Sequence, residues 1–268
     1  MVRIGLVGCG TIGSRLALAI DRKYPRAACL VALHDQDQKR ARLLQHRLTH
    51  HHPRLCSLPT LIQRSQLIIE AASAAAVPGL VHAAIRAKRD VLIMSVGGLL
   101  ANRTWQRLAQ DRTIRVYIPS GAVAGLDGIK AMALGRIHSV SLTTRKPPAA
   151  LADAPSLARR PRRLTTRRPV TVFEGSAQAV VRAFPQNTNV AAALTLASRM
   201  SARRTRVRVV ADPRIRMNTH ELEVVGDCGR IQCLIESRPS SNPKTSELAV
   251  RSALATLDGI LNPIHIGT

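Results

Sequence analysis

The chain has 268 residues, enough for one large domain or two modest ones with a real hydrophobic core, which excludes a disulfide-stapled miniprotein and a disordered tail. Its apolar stretches are broken by Pro78, His82 or charge well short of the roughly 18 to 20 residues a bilayer crossing needs, so no transmembrane helix is expected. Forty Lys and Arg against 16 Asp and Glu leave a net charge of +24, a long-range attraction for anions that by itself names no function.

Residues 2–7 form a short apolar run that leads into Gly8-Cys9-Gly10-Thr11-Ile12-Gly13, after which Leu16, Leu18, Ala19 and Ile20 fall at helical spacing. This reads as strand, glycine turn, helix. The opening run is too short for a secretory signal, so a cytoplasmic chain is expected. A second apolar run, Ala28 to Leu33, ends in His34-Asp35 and is followed by a polar helix from Gln38 to about Arg47. Leu67-Ile68-Ile69 and Val91-Leu92-Ile93-Met94 have the uninterrupted apolar texture of strands buried on both faces. Alternating strands and helices predict an α/β fold with a doubly wound parallel sheet. After Tyr117-Ile118-Pro119-Ser120-Gly121 the texture changes. Val140–Thr144, Val170–Phe173, Arg204–Val210, Thr219–Val225 and Ile231–Ile235 tend to alternate apolar with polar, which predicts a smaller α+β domain on a mixed or antiparallel sheet. Between these segments, residues 147–169 carry five prolines and a run of arginines from Arg159 to Arg168, and read as an exposed, mobile loop.

Gly8-x-Gly10-x-x-Gly13, placed after a strand and opening a helix, is a dinucleotide-binding fingerprint of the Rossmann type. Gly8 permits the tight turn, Gly10 lets backbone approach the pyrophosphate, and Gly13 lets the helix pack on the strand. The amides of Thr11 and Ile12 lie at the positive end of the helix. Asp35, at the end of the second strand, is placed to accept from the adenosine ribose hydroxyls. Lys39 and Arg40 follow closely and could neutralise a 2′-phosphate, so both NAD and NADP stay open. Ala72 and Ser73 end a later strand, where small residues leave room beside the ribose. Met94–Gly98 and the loop Pro119–Gly125, with Ala122 and Ala124, repeat that logic at further strand ends.

Five cysteines with no C-x-x-C spacing are expected to be reduced, unpaired thiols. The histidines His46, His50, His51 and His52 are expected to be surface residues, because successive residues of one segment cannot all converge on one ion; no metal is expected. Five aromatics leave little for base stacking, so nucleic acid is not the expected partner, although the charge permits nonspecific association with polyanions. The arginines of 159–168 and 203–208 are expected on solvated loop and strand faces.

Eight blocks, in order, carry a more specific resemblance: Gly8–Gly13, Met94-Ser95-Val96-Gly97, IPSGAVAGLDG from Ile118 to Gly128, TTRKPP from Thr143 to Pro148, Phe173–Ala177, FPQNTNV from Phe184 to Val190, Asn218-Thr219-His220-Glu221, and NPKTS from Asn242 to Ser246. Through them the chain resembles the L-aspartate dehydrogenase family nearly end to end. The resemblance implies a Rossmann domain over 1–120, a substrate and dimerisation domain over 121–242, and a terminal helix over 243–268 that packs back on the first domain. It implies oxidation of L-aspartate to iminoaspartate with NAD or NADP, a homodimer, and a product able to feed quinolinate and NAD synthesis. His220 becomes the active-site histidine, and Ala124, Asn187 and Asn189 become cofactor contacts. A histidine near its ordinary pKa of about 6.5 suits the proton exchange that amine oxidation requires. Two substrate carboxylates need cations or polar donors, and the candidates are Arg145, Lys146, Lys244 and Thr245. Two other readings stay open: a related two-domain reductase of the dihydrodipicolinate or homoserine type, and a non-catalytic nucleotide-sensing or polyanion-binding protein.

Overall fold

The computed structural model describes residues 1–100, 104–152, 154, 157, 167–184, 188–240, 246–264, 266 and 267. The chain divides into two compact units, residues 1–119 with 253–265, and residues 120–252 with 266–268.

The first unit is built on six parallel strands in the order β3-β2-β1-β4-β5-β6. These are β1 (Val2–Val7), β2 (Ala28–His34), β3 (Arg54–Leu55), β4 (Leu67–Glu70), β5 (Asp90–Ile93) and β6 (Val116–Tyr117). The helices between them are α1 (Thr11–Lys23), α2 (Gln38–His46), α3 (Leu58–Arg64), α4 (Val77–Arg86) and α5 (Thr104–Arg112). Strand β4 is buried at every position, which is why its sequence is an apolar run rather than an alternation. Helix α1 turns Leu16, Ala17 and Ile20 into the core against Ile4, Leu6, Leu30 and Leu33. Asp37 caps α2 by accepting from the Lys39 and Arg40 amides, and Ser57 caps α3. The last helix of the chain, Glu247–Leu261, sends Ala253 and Leu257 into this same core, and Tyr24 donates to Asp258 at 2.8 Å. Among the described residues no helix is long and apolar enough to cross a membrane.

The histidine segment departs from the surface expectation at one position. His51 is buried, because Asp21, fully enclosed on α1, gathers the turn after α2 around itself. It accepts from the Thr49 amide at 2.9 Å, the Thr49 hydroxyl at 3.0 Å and the His50 and His51 amides at 2.9 and 2.7 Å. These donors bring the carboxyl from 3.8 down to about 2 against the opposing effect of burial. A folded pKa below the unfolded one contributes stability that is complete above about pH 4 and is lost as pH falls toward about 2. Asp21→Asn is expected to lower stability by about 2–3 kcal/mol at neutral pH, since an amide nitrogen would face backbone donors; urea denaturation reads this directly.

The second unit carries a five-stranded mixed sheet in the order β11-β10-β7-β9-β8, from β7 (Ile137–Lys146), β8 (Val170–Ser176), β9 (Arg206–Ala211), β10 (Asn218–Gly226) and β11 (Gly229–Ser237). Among the pairings of these strands, that of β7 with β9 is parallel and the other three are antiparallel. Helices α6 (Leu126–Met132), α7 (Ala177–Ala183) and α8 (Asn189–Ala197) belong to this unit. On β9, Arg206 and Arg208 are exposed while Val207 and Val209 are buried, and Arg208 pairs with Glu174. The segment read as an exposed loop is in part core: Leu151, at the end of a 3-10 turn over Pro148–Leu151, is buried, and so are Ala154 and Leu157. Residues 158–166 of that segment lie outside the described residues.

Candidate active site

The glycine turn has the geometry its spacing predicts. Gly8 sits at φ +95°, and a Cβ there would meet the Ala71 carbonyl at 2.6 Å. A Cβ on Gly13 would come within 1.9 Å of the Gly8 carbonyl oxygen. Gly10 differs, for a Cβ there would meet nothing within 4 Å. Its smallness is therefore not needed for packing and leaves space where a ligand's phosphates would approach. Gly10 is also the N-cap of α1, with no side-chain cap and no acidic residue in the first turn. The helix end thus keeps its positive character at Thr11 and Ile12, as an anion requires.

Asp35 lies where the fingerprint places its acid, and both oxygens are engaged: Oδ2 accepts from the Cys9 amide at 2.6 Å, Oδ1 from the Asp37 amide at 2.8 Å. A carboxylate has further lone pairs, so ribose hydroxyls can still be accepted. Burial and the Asp35 charge push the Cys9 thiol up to about 12, so it is inert at neutral pH; all five cysteines are free thiols. Ala72 and Ser73 are exposed just beyond β4. The residue that holds them was not singled out from sequence. Glu70, fully buried at the end of β4, accepts from the Ala72 amide at 2.8 Å and the Ser95 amide at 2.9 Å, tying together the loops after β4 and β5. Burial raises its pKa while those amides oppose the rise. A carboxylate closing an otherwise apolar strand was the signal available.

Gly8, Gly10, Thr11, Ile12, Gly13, Asp35, Ala72 and Ser73 thus gather at the carboxyl edge of one parallel sheet. Their open helix end and the Asp35 carboxylate just beyond β2 fit NAD or NADP. Ala122, which is buried, Ala124, which is exposed, and Asn189, the first residue of α8, belong to the second unit. Asn187, Lys244 and Thr245 lie outside the described residues.

In the second unit the buried face of the mixed sheet changes from apolar to polar along its length. Strand residues two apart share a face, so Val140, Leu142, Thr144 and Lys146 of β7 line up, with Leu142 paired to Leu222 and Thr144 to His220 across β10. His220 is 3% exposed, and its Nδ1 meets Thr144 Oγ1 at 3.0 Å. Burial first, and the Lys146 charge second, lower its pKa from 6.5 to about 3. The sequence expectation of a histidine near its ordinary value is therefore corrected: this imidazole is neutral at pH 7. Lys146 is buried too, which lowers its pKa from 10.5 to about 8. Arg145 is on the opposite face of β7, between Thr219 and Val210 in register, so of the two candidate cations only Lys146 shares a face with His220. Asp212, which donates its amide to the Lys146 carbonyl at 2.9 Å, is held below the usual carboxylate range chiefly by hydrogen bonding to Arg214. Of the NPKTS block, Ser246 is described, and its hydroxyl bonds that of Ser237, the residue opposite Asn218 on β11. Among the described residues no group of three His, Cys, Asp or Glu side chains is placed to hold a metal ion.

Residues 127–260 match the family described as aspartate dehydrogenase, C-terminal, and residues 8–116 match the homoserine dehydrogenase NAD binding domain. The chain is 43% identical over 274 residues to an L-aspartate dehydrogenase of Methanosarcina barkeri, all of both chains being covered. It is 34% identical to one of Bradyrhizobium diazoefficiens, covering 100% of this chain and 94% of the relative. Among solved structures, an aspartate dehydrogenase from Thermotoga maritima shares the fold over all of both chains, at 23% identity and a TM-score of 0.76. With full-length relatives at this identity and both halves matched, the chain belongs to the L-aspartate dehydrogenase family.

Proposed function

We propose that the protein oxidises L-aspartate at its α-carbon, with NAD or NADP as the hydride acceptor, and that His220 is its catalytic residue. The observation that carries the reading is the buried polar end of the second sheet, where a neutral imidazole, an ammonium and a hydroxyl share one face in a chain of this family. The nicotinamide, when bound, supplies the hydride acceptor. The ammonium of L-aspartate must first lose one proton, so that the nitrogen lone pair can form the C=N bond as hydride leaves. Nδ1 of His220 is within hydrogen-bond distance of Thr144 Oγ1, and in the tautomer that the reaction requires, Nδ1–H donates there and Nε2 presents a lone pair for that proton. Substrate carboxylates offset the Lys146 charge and make the ring a better base in the complex than in the free protein. The iminoaspartate formed either leaves intact or takes up water to give oxaloacetate and ammonia.

Lys146 serves as a carboxylate ligand; Lys244 and Thr245, outside the described residues, stay candidates on the family resemblance alone, and Arg145 is the weaker candidate because of its face. Family membership supports a cytoplasmic homodimer that feeds pyridine-nucleotide synthesis. The test is reduced-nicotinamide absorbance with purified protein, L-aspartate and each nucleotide, with D-aspartate and L-glutamate as controls. Turnover confined to L-aspartate supports the reading, and nucleotide binding without turnover of any amino acid moves the reductase or sensor readings ahead.

Lys146 gives the pH profile a sign. As an ammonium it binds a carboxylate and as a free amine it does not, so kcat/KM for L-aspartate is expected to fall as pH rises through about 8. Lys146→Arg, charged at every accessible pH, should move that falling limb beyond the measurable range even if overall activity drops.

A further inference from the structure

The sequence leaves one side chain of the buried polar face unexplained. Asn218 begins β10, two residues before His220 and therefore on the same face, at the end of the sheet where β7 reaches Lys146. It is 1% exposed, and neither Oδ1 nor Nδ2 has a hydrogen-bond partner among the described residues. Thr144, by contrast, is satisfied by His220. Burying an amide with both ends unpaired is unfavourable, and leucine, of similar size, would fill the same space without that penalty. An asparagine kept here points to a ligand that brings a donor and an acceptor together.

The chemistry of the two orphaned atoms restricts that ligand. Nδ2 donates only and Oδ1 accepts only. A dicarboxylate without an amine satisfies the first and not the second, whereas an α-amino acid carries a carboxylate and a nitrogen donor on one carbon. We propose that Asn218 grips the α-amino-acid end of the substrate, Nδ2 donating to the α-carboxylate and Oδ1 accepting from the α-nitrogen, beside the proton acceptor His220. Oδ1 then fixes the direction of one N–H while another proton departs, and it continues to accept from the nitrogen after the C=N bond has formed. This rests on the aspartate reading above.

The experiment compares wild type, Asn218→Leu and Asn218→Asp, with L-aspartate as substrate and succinate as a competitive ligand that lacks the amine. Wild-type turnover is measured first, and its absence overturns the functional reading alone; thermal shifts with L-aspartate and succinate then still test the grip. Asn218→Leu is expected to keep or raise Tm, to raise KM for L-aspartate at least about tenfold, to leave KM for the nucleotide within about twofold, and to weaken succinate by only about threefold. Asn218→Asp, which keeps the shape and repels a carboxylate, should raise both constants at least about tenfold, and it carries the test if the leucine variant does not fold. An unchanged KM for L-aspartate, or equal weakening of L-aspartate and succinate in Asn218→Leu, overturns the proposal. So does a loss of Tm with both ligands unaffected, which marks a structural asparagine.

Discussion

A His220→Asn variant is expected to lose at least about 100-fold in kcat for L-aspartate while nucleotide affinity holds, because asparagine can still meet Thr144 but cannot take up a proton. Steady-state kinetics with direct nucleotide titration separates the two effects, and normal turnover in a folded variant would remove His220 from the mechanism. The same residue also marks the acid stability of the protein. Its folded pKa of about 3 lies below the ordinary 6.5, so the unfolded chain binds the extra proton between those values. Stability is therefore complete above about pH 6.5 and is lost as pH falls, at up to about 1.4 kcal/mol per pH unit from this group. The asparagine variant should lack that component of the slope. Because this readout depends on burial and not on catalysis, it tests the environment of the ring even where turnover is low.

Gly13→Ala and Gly10→Ala should behave as opposites, although both alter one fingerprint. The new methyl of Gly13→Ala would lie 1.9 Å from the Gly8 carbonyl oxygen, a backbone atom of a turn already held at positive φ. Helix and strand must separate to admit it. A loss of roughly 3 kcal/mol is expected, seen as a Tm lowered by about 6–12 °C. The methyl of Gly10→Ala meets nothing within 4 Å, and its φ of −72° suits any residue. Stability should stay within about 0.5 kcal/mol. What changes is the space at the open end of α1, so the Kd for reduced nucleotide should rise about tenfold or more. Equal Tm values for the two variants would overturn the assignment of Gly13 to a close helix–strand approach.

The sequence by itself determined the alternation of strands and helices and the glycine turn at the carboxyl edge of the first sheet. Buried parallel strands must be apolar on both faces, half-buried mixed-sheet strands must alternate, and a phosphate-binding turn must have glycine where backbone comes close; each rule acts between near neighbours in the chain. His220 and Lys146 were legible as chemistry through their blocks. Their states were not. A pKa reports everything packed around a group: burial first, and then the Lys146 charge that the register of β7 against β10 brings to the same face, hold His220 as a neutral imidazole. Strand parity was implicit in Arg145-Lys146, yet which of the two faced inward depended on the partners of β7. Glu70 and Asp21 escaped notice for the same reason, since an acid read alone is a surface residue until the amides around it are known. Asn218 was spelled out beside His220 from the start, but only tertiary structure could show its amide buried without a partner, because satisfaction of a polar group is a property of its surroundings rather than of its own residue type.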